Sequence, residues 1–421
     1  MVILLGRLFR TKKVVFFHPF CMSFGGGERV LYTWMKFLKN DKEIMILTGE
    51  KSIDIMKIKE RFDIDLLNYP IKVVSLHTRR LLDPLLFPIA TLFFQILGSL
   101  IIGLDCCAKL LFKSPEVLVD TTGCAFIYPI IKLFLGCKIV SYVHYPFISS
   151  DMLQMVSKRE SNYNNKNYIT NNSALTQVKL YYYKILSFVY CLCGSFADEI
   201  LVNSTWTHNH IIELWQNPEK THIVYPPCGI EKLINIDIVK PRNPIILSIG
   251  QFRKEKNHQL QIEAFAKSNA RSTHSLILVG GCRNEEDYSR VCELKSLANI
   301  LNLSERVEFK VNVSFDELYN LLTLADIGIH TMQDEHFGIC VVEYMAAGLI
   351  PIAHNSGGPK LDIVDENCGF LAKSSEEYTN SINAILSMSI RKKQMYRENA
   401  RLKIEQTFSE SQFANNIECL F

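Results

Sequence analysis

The chain has 421 residues, 48% hydrophobic and 21% charged, so it carries enough apolar side chains for two cores of ordinary domain size. Its formal net charge of +3 is small and its basic residues are spread along the sequence, which argues against nucleic acid as a partner. The 13 cysteines are scattered and lack the CxxC spacing of a zinc site, a pattern typical of small buried residues in a reducing compartment.

Three apolar segments in the first half raise the question of a membrane. The N-terminus, residues 1–13, is too short to span a bilayer and lacks the cleavage site of a secretory signal. The segment Pro84–Leu104 contains no charged residue and is long enough to span, although its prolines and glycines disfavour a regular helix. A transmembrane helix, a helix lying on the membrane and a buried helix therefore all stay open. The apolar stretch Leu180–Phe196 is equally ambiguous.

Short apolar runs alternate with helical patterns through the first 225 residues, which predicts a parallel doubly wound sheet. The first run, Val14–His18, is followed by three glycines and a predicted helix over Glu28–Leu38. The polar stretch Ser157–Thr176 has poor periodicity and is interpreted as an insertion. The other predicted strands of this half are Ile44–Leu47, Val117–Val119, Lys138–Val143 and Glu199–Val202.

Proline clusters at Tyr225–Pro227 and Lys240–Pro244 predict a linker, after which the alternation restarts. We therefore expect two domains, 1–225 and 226–400, with a ligand cleft between them and a C-terminal helix over 401–421 that crosses back to the first. The predicted strands are Ile245–Ile249, Ser275–Val279, Val307–Lys310, Ile327–His330 and Ile350–Ala353, and the predicted helices are His258–Ala270, Glu285–Leu301, Phe315–Leu324 and Gly338–Ala347.

Two glutamates, Glu335 and Glu343, flank the start of the last of these helices. The first free amides of that helix, at Phe337, Gly338 and Ile339, favour a bound anion, helped by the helix dipole. This arrangement could place a diphosphate at the helix tip, a sugar against Glu335 and a ribose against Glu343. An ordinary acidic helix cap fits the residues alone equally well.

A basic loop, which contains Arg253 and Lys256, follows the predicted strand Ile245–Ile249. Cations placed there can stabilise the charge that develops on a departing nucleotide diphosphate. The alternative is a solvated basic loop.

Three further features lie in the first half. The glycines Gly25, Gly26 and Gly27 follow the first strand, where backbone amides can approach a ligand closely. His144 ends a predicted strand, which is where ligands lie in open α/β sheets, and Asp151 follows as a weaker acceptor-side candidate. By itself, a glycine triplet or a single histidine is more often structural.

Together these features resemble glycosyltransferase family 4. The run from Glu335 to Glu343 is similar to its E-x7-E motif, and Asn355–Pro359 to its second glycine-rich loop. Lys256 matches the family lysine, whereas Gln251 stands where many members have arginine, so Arg253 is expected to supply the guanidinium. The resemblance also extends over strings from Val14 to about Phe413, among them GGGERVL, SYVHYPFISSDML and HTMQDEHFGICVVEYMAAG.

The resemblance implies the GT-B fold, which is two Rossmann-like domains, and a retaining transfer of α-1,2-linked mannose without a metal cofactor. It implies GDP-mannose as donor and the dolichyl-diphosphate-linked Man3GlcNAc2 core as acceptor, extended to Man5GlcNAc2. It also implies the cytosolic face of the endoplasmic reticulum membrane, with other mannosyltransferases of the same pathway as partners. Arg253 and Lys256 would stabilise the departing GDP, Glu335 and His144 would orient mannose, and Glu343 would hold the ribose. The residues Gly25–Gly27 would face the donor phosphates and the acceptor.

Two alternatives remain at this point. One is another family 4 transferase, for example one that uses UDP-N-acetylglucosamine and a different lipid. The other is a non-catalytic sugar-nucleotide-binding subunit, which the presence of Glu335, Glu343, Lys256 and His144 disfavours.

Overall fold

The computed structural model describes residues 9–38, 43–83, 86–87, 90–148 and 173–418. The described chain forms two compact units, which divide between Val224 and Tyr225. Asp151 and most of the polar stretch 157–176 lie outside the described residues.

The first unit is built on a parallel sheet with strand order β3-β2-β1-β4-β5-β6-β7. Its strands are β1 Thr11–Phe17, β2 Ile44–Thr48, β3 Ile71–Ser75, β4 Pro115–Asp120, β5 Lys138–Val143, β6 Glu199–Val202 and β7 Thr221–Ile223. Its helices are α1 Gly26–Phe37, α2 Ile55–Phe62, α3 Thr91–Leu110, α4 Tyr128–Phe134, α5 Ser173–Gly194 and α6 Thr205–Trp215.

The second unit repeats the design with strand order β10-β9-β8-β11-β12-β13, again parallel. Its strands are β8 Asn243–Ile249, β9 Ser275–Gly280, β10 Val307–Val311, β11 Ala325–Ile329, β12 Ile350–His354 and β13 Phe370–Ala372. Its helices are α7 His258–Lys267, α8 Glu285–Ile300, α9 Phe315–Leu324, α10 Ile339–Ala347, α11 Ser375–Leu386, α12 Ile390–Thr407 and α13 Glu410–Glu418.

The central strands are apolar on both faces because helices cover both sides of each sheet. Residues 14–17 of β1 are fully buried, as are Ile246 and Leu247 of β8. In both sheets the first strand lies between the second and the fourth, so the direction of winding reverses between β1 and β4 and between β8 and β11. Ligands of doubly wound sheets bind at the carboxyl ends of the strands at this switch point. The predicted pair of Rossmann-like units is confirmed.

The segment after the first proline cluster belongs to the second unit. Cys228, Ile230 and Leu233 are buried in its core, so they pack rather than link. Helix α12 is held to the same unit because Lys393 and Arg397 both pair with the buried carboxylate of Asp326. That the C-terminal helix crosses back to the first unit stays a prediction.

Residues 91–104 of the apolar segment 84–104 lie in α3. In the part of the chain that the structure describes, one helix, Thr91–Lys113 with its terminal turn, is long and apolar enough to cross a membrane. One side of α3 is nevertheless buried, through Ile96, Ile102 and Cys106, in the core of the first unit.

Candidate active site

A compact charged cluster lies at the switch point of the second unit. Lys256 ends a short 3-10 turn after β8, His330 directly follows β11, and Glu335 lies in the loop before α10. The Nζ atom of Lys256 is 2.5 Å from Oε2 of Glu335. The Nε2 atom of His330 is 3.1 Å from the same oxygen. Strands that are neighbours in the sheet therefore bring together three ionisable groups up to 79 residues apart in the sequence.

Glu335 stabilises the charged forms of Lys256 and His330, and both bases stabilise the charged form of Glu335. Burial by itself would raise the pKa of the Glu335 carboxyl, but His330 and Lys256 outweigh it and hold that pKa well below its usual range. Burial disfavours a charged His330, yet Cys340 and Glu335 raise its pKa to about 9. Glu335 likewise raises the pKa of Lys256 against the effect of burial. Protonation of His330 gives the cluster one negative and two positive charges, and this net positive charge then attracts an anion.

The second glycine-rich loop fixes the backbone of Glu335. The amide of Gly358 donates to the carbonyl oxygen of Glu335 over 2.8 Å. Gly357 has a φ of +63°, and a Cβ atom there would lie 2.3 Å from that same carbonyl oxygen. Only glycine combines this left-handed conformation with such a close approach. The loop Asn355–Pro359 thus fixes the position of Glu335.

The start of α10 lies next to Glu335. Gly338 is the N-cap, with a φ of +106°, and a Cβ atom there would lie 3.6 Å from Cγ of Glu335. Ile339 is the first helical residue, so its amide belongs to the set that has no partner within the helix. Glu343 lies in the second turn and is half-buried. The side chain of Phe337 packs into the core against Tyr225 and Phe408, so only its backbone is available to a ligand.

Arg253 is near the cluster in sequence but is not part of it. Its guanidinium lies 3.6 Å from Glu255, a neighbour in the same loop, and it is half-buried. Lys256 therefore contacts Glu335, whereas Arg253 pairs within the basic loop with Glu255.

Sequence reasoning missed the residues that support this cluster. It identified Ile327–His330 as a strand without singling out His330, although a polar residue at the carboxyl end of a central strand was the available signal. Thr331 follows it, and its hydroxyl donates to the carbonyl oxygen of Lys256 over 2.8 Å. The buried amide of Gln261 in turn donates to Thr331 over 2.9 Å. These contacts hold the backbone that carries Lys256.

The first unit has a polar cluster at its own switch point. His144 follows β5, and its Nε2 atom is 3.1 Å from the carbonyl oxygen of Thr121, the residue after β4. His18 follows β1, and its Nδ1 atom is 2.7 Å from the Thr121 hydroxyl. Burial, with a smaller effect of His144, lowers the pKa of His18 to about 3, so this ring is neutral. A Cβ atom on Gly27 would lie 3.4 Å from Nε2 of His144. The structure thus brings two predicted site residues, Gly27 and His144, together.

The other glycines form the entry to α1. Gly25 is the N-cap and Gly26 begins the helix. The carboxylate of Glu28 folds back and accepts from the amides of Ser23 and Gly25, each over 3.0 Å. Glu28 thus caps the helix start from its first turn, so the amides of Ser23 and Gly25 already have a partner.

We found no group of three or more histidine, cysteine, aspartate or glutamate side chains arranged to hold a metal ion within the described ranges. The cysteines in those ranges are free thiols.

Comparison with known proteins identifies the family of the chain. Residues 11–215 match the family described as ALG11 mannosyltransferase N-terminus, and residues 230–403 match the family described as glycosyl transferases group 1. The GDP-Man:Man(3)GlcNAc(2)-PP-Dol alpha-1,2-mannosyltransferase of Mus musculus is 45% identical over 95% of this chain and 84% of its own. The protein of the same name from Dictyostelium discoideum is 40% identical over 95% of this chain and 82% of its own.

A solved structure shows the same fold. The Anabaena protein Alr3699/HepE, in complex with UDP, has a TM-score of 0.71 at 18% identity and covers 97% of this chain and 99% of its own. At that identity it supports the two-unit GT-B architecture alone. From the sequence relatives, the chain belongs to the ALG11 mannosyltransferases, a family of glycosyltransferases.

Proposed function

We propose that this chain transfers mannose from GDP-mannose, in α-1,2 linkage, to the dolichyl-diphosphate-linked Man3GlcNAc2 oligosaccharide, which two additions extend to Man5GlcNAc2. The observation that carries this is the cluster of buried His330 with the partly buried Lys256 and Glu335 beside the start of α10. The relatives' printed names supply the donor and acceptor.

The cluster suits a sugar nucleotide for two reasons. Its residual positive charge and the amides of the first turn of α10 can bind a diphosphate, and they stabilise the extra charge that forms when the sugar–phosphate bond breaks. Glu335 stays ionised because of His330 and Lys256, so it accepts hydrogen bonds from sugar hydroxyls rather than donating a proton. Glu343, further along α10, is assigned to the ribose.

We assign the first-unit residue His144 to the transferred mannose, with Gly27 giving the space beside it. We assign Gly25 and Gly26 to the donor phosphates and the acceptor, and Asp151 to the acceptor alone. We expect Arg253 to stabilise the departing GDP less than Lys256 does, because its guanidinium pairs with Glu255.

The transfer is expected to retain the α configuration. No carboxylate is assigned as a nucleophile, because Glu335 is engaged by two cations. We therefore propose that the acceptor hydroxyl attacks from the face that GDP leaves, and that a donor phosphate oxygen takes its proton. Trapping a covalent mannosyl-enzyme would contradict this choice. Activity is proposed to be independent of divalent cations, so loss with EDTA and recovery with magnesium or manganese would contradict that part.

We further propose that the chain works at the endoplasmic reticulum membrane with its catalytic units in the cytosol, alongside other mannosyltransferases of the pathway. The chemistry of a lipid-linked acceptor supports a membrane location, and the free cysteines are consistent with the cytosol.

The direct experiment is incubation of the full chain with GDP-mannose and a synthetic lipid-linked trimannosyl acceptor, followed by linkage analysis of the product. Two new α-1,2-linked mannoses are expected, and none with Glu335→Gln. Transfer from UDP-N-acetylglucosamine in place of GDP-mannose, or no transfer from either donor, would contradict the proposal.

A further inference from the structure

His18 is a buried polar side chain that the proposed function does not use. It follows β1, it is 4% exposed, and its Nδ1 atom is 2.7 Å from the hydroxyl of Thr121. Thr121 follows β4 and is itself fully buried. The carbonyl oxygen of Thr121 in turn lies 3.1 Å from Nε2 of His144. Thr121 therefore connects two histidine rings, His18 through its hydroxyl and His144 through its carbonyl.

The contact with Thr121 determines which nitrogen of His144 carries a hydrogen. A carbonyl oxygen only accepts hydrogen bonds, so the hydrogen of this contact must be on Nε2 of His144. In a neutral imidazole the other nitrogen, Nδ1, is then an acceptor. The ring of His144 also packs against that of Tyr142, with 4.9 Å between the ring centroids. The Thr121 carbonyl thus sets the tautomer of His144, and together with Tyr142 it sets the orientation of the ring.

The end of β1 holds Thr121 mainly through His18. The amide of Thr121 donates to the carbonyl oxygen of Phe17 over 3.3 Å, and the Thr121 hydroxyl lies 3.4 Å from the same oxygen. Both distances exceed the usual range for hydrogen bonds of these groups. The contact of the hydroxyl with His18, at 2.7 Å, is the shortest of the three. We call this contact the tether, and we expect it to contribute most of the restraint that β1 places on Thr121.

A different side chain holds the rest of the loop after β4. The buried carboxylate of Asp120 accepts from the amide of Thr122 over 2.8 Å and from the amide of Cys124 over 2.5 Å. These bonds fix the backbone at residues 122 and 124. The side chain of Thr121 is restrained instead by His18. Loss of the tether should therefore move Thr121 while the remainder of the loop keeps its structure.

We propose that His18 is a positioning residue, which acts through Thr121 to hold His144 in one orientation and in the tautomer with hydrogen on Nε2. The ring of His18 is buried, so it acts on a substrate through another residue rather than by contact. The proposal rests on the proposed function, in which His144 contacts the transferred mannose. A misplacement of about 1 Å in such a contact can cost about 10² in rate, so the tether should affect kcat.

Variants of the two tethered side chains test this role in the mannose-transfer assay of the full chain. His18→Leu removes the ring nitrogens, and Thr121→Val removes the hydroxyl but keeps the carbonyl and the shape of the side chain. Each should lower kcat at least about tenfold, with a smaller change in KM for GDP-mannose. His18→Asn and Thr121→Ser keep a hydrogen-bonding group at the tether, so they should recover most of the lost rate. The double variant His18→Leu/Thr121→Val should lose little more than the worse single variant, because both substitutions break the same bond.

A matched control and a spectroscopic readout complete the test. The control is Thr33→Val in α1, because Thr33 is fully buried and its hydroxyl has no hydrogen-bond partner among the described residues, so kcat should stay that of the parent. Long-range proton–nitrogen NMR correlations of the chain with isotope-labelled histidine rings report the tautomer, and the signals of His144 are those lost in His144→Gln. At a pH where this ring is neutral, the parent and the control should carry hydrogen on Nε2 alone. His18→Leu and Thr121→Val should show both tautomers.

Four results would overturn the positioning role alone. They are an unchanged kcat in His18→Leu or Thr121→Val, an equal loss of kcat in Thr33→Val, a parent with hydrogen on Nδ1 of His144, and tethered-residue variants that keep the tautomer of the parent. If His18→Leu does not fold, Thr121→Val and Thr121→Ser decide the question, since they differ in the hydroxyl and keep the ring of His18. A parent that transfers no mannose, but whose tautomer changes as expected in the variants, would refute the proposed function and leave the positioning of His144 standing.

Discussion

Replacement of Lys256 by glutamine tests the proposed charge stabilisation at a single atom. The Nζ atom of Lys256 lies 2.5 Å from Glu335, and the side chain is 22% exposed, so it acts in a largely desolvated site. Removing one preorganised charge-stabilising donor typically lowers kcat by about 10²–10³, which corresponds to about 2.7–4 kcal/mol. We expect Lys256→Gln to fall in this range, with a smaller rise in KM.

The folded state should be affected less than the reaction. Removal of one partner from a fully buried ion pair costs about 3–5 kcal/mol. Here His330 still faces Glu335 at 3.1 Å, and Lys256 is partly exposed, so the loss of stability should be well below that range. Unfolding in urea would measure this separately from catalysis.

The assay is the initial rate of mannose transfer over a range of GDP-mannose concentrations, which gives kcat and KM separately. Lys254→Gln is the matched control, because Lys254 lies in the same 3-10 turn and is exposed. An unchanged kcat in Lys256→Gln, or an equal loss in Lys254→Gln, would refute the reasoning.

Three further predictions concern the second unit: the loop glycine Gly357, the pair of Lys256 and Glu335, and the buried His258. Gly357→Ala should displace Glu335 and lower kcat at least about tenfold, and the left-handed φ at this position should cost about 1–2 kcal/mol of stability. The control is Gly26→Ala, which should melt as the parent does because nothing lies within 4 Å of the added Cβ atom. A lower melting midpoint for Gly26→Ala than for Gly357→Ala would contradict this. If Lys256 and Glu335 act as a unit, the double glutamine variant should lose little more kcat than the worse single variant, whereas additive losses would show independent roles. Burial and Lys256 lower the pKa of His258 to about 3, whereas the ring in the unfolded chain has a pKa of about 6.5. On acidification the unfolded state therefore takes up the proton first. The free energy of unfolding should fall as the pH drops from about 6.5 towards 3. The slope from this residue is up to about 1.4 kcal/mol per pH unit, and urea unfolding of His258→Leu should show a shallower dependence; an identical dependence would contradict the assignment.

The central strands and one edge strand, β10, could be predicted from sequence, and the other three edge strands could not. Strands β1 and β8 are buried on both faces, so they appear as unbroken apolar runs such as Val14–Phe17. The strands that were missed, β3, β7 and β13, lie at sheet edges. They are short or only partly buried, because one side of an edge strand has no neighbour, and their sequences therefore lack a continuous apolar signal.

The candidate site was predictable where chemistry and position coincide in the sequence. Glu335, Gly338 and Lys256 could be singled out because a carboxylate, a glycine and a lysine flank predicted element boundaries and match motifs of the family; their roles stay predictions. His330 was not, because one histidine at a strand end has no distinguishing pattern, and its contact with Glu335 depends on how neighbouring strands end. The structure also gives Gly357 a physical role that spacing could not show, namely contact with the Glu335 carbonyl oxygen.

The crystal structure of the chain with bound GDP would test the central claim most directly. We predict a phosphate oxygen within about 3 Å of the Nζ atom of Lys256 and of a backbone amide in the first turn of α10. Phosphates bound away from both groups would contradict the account.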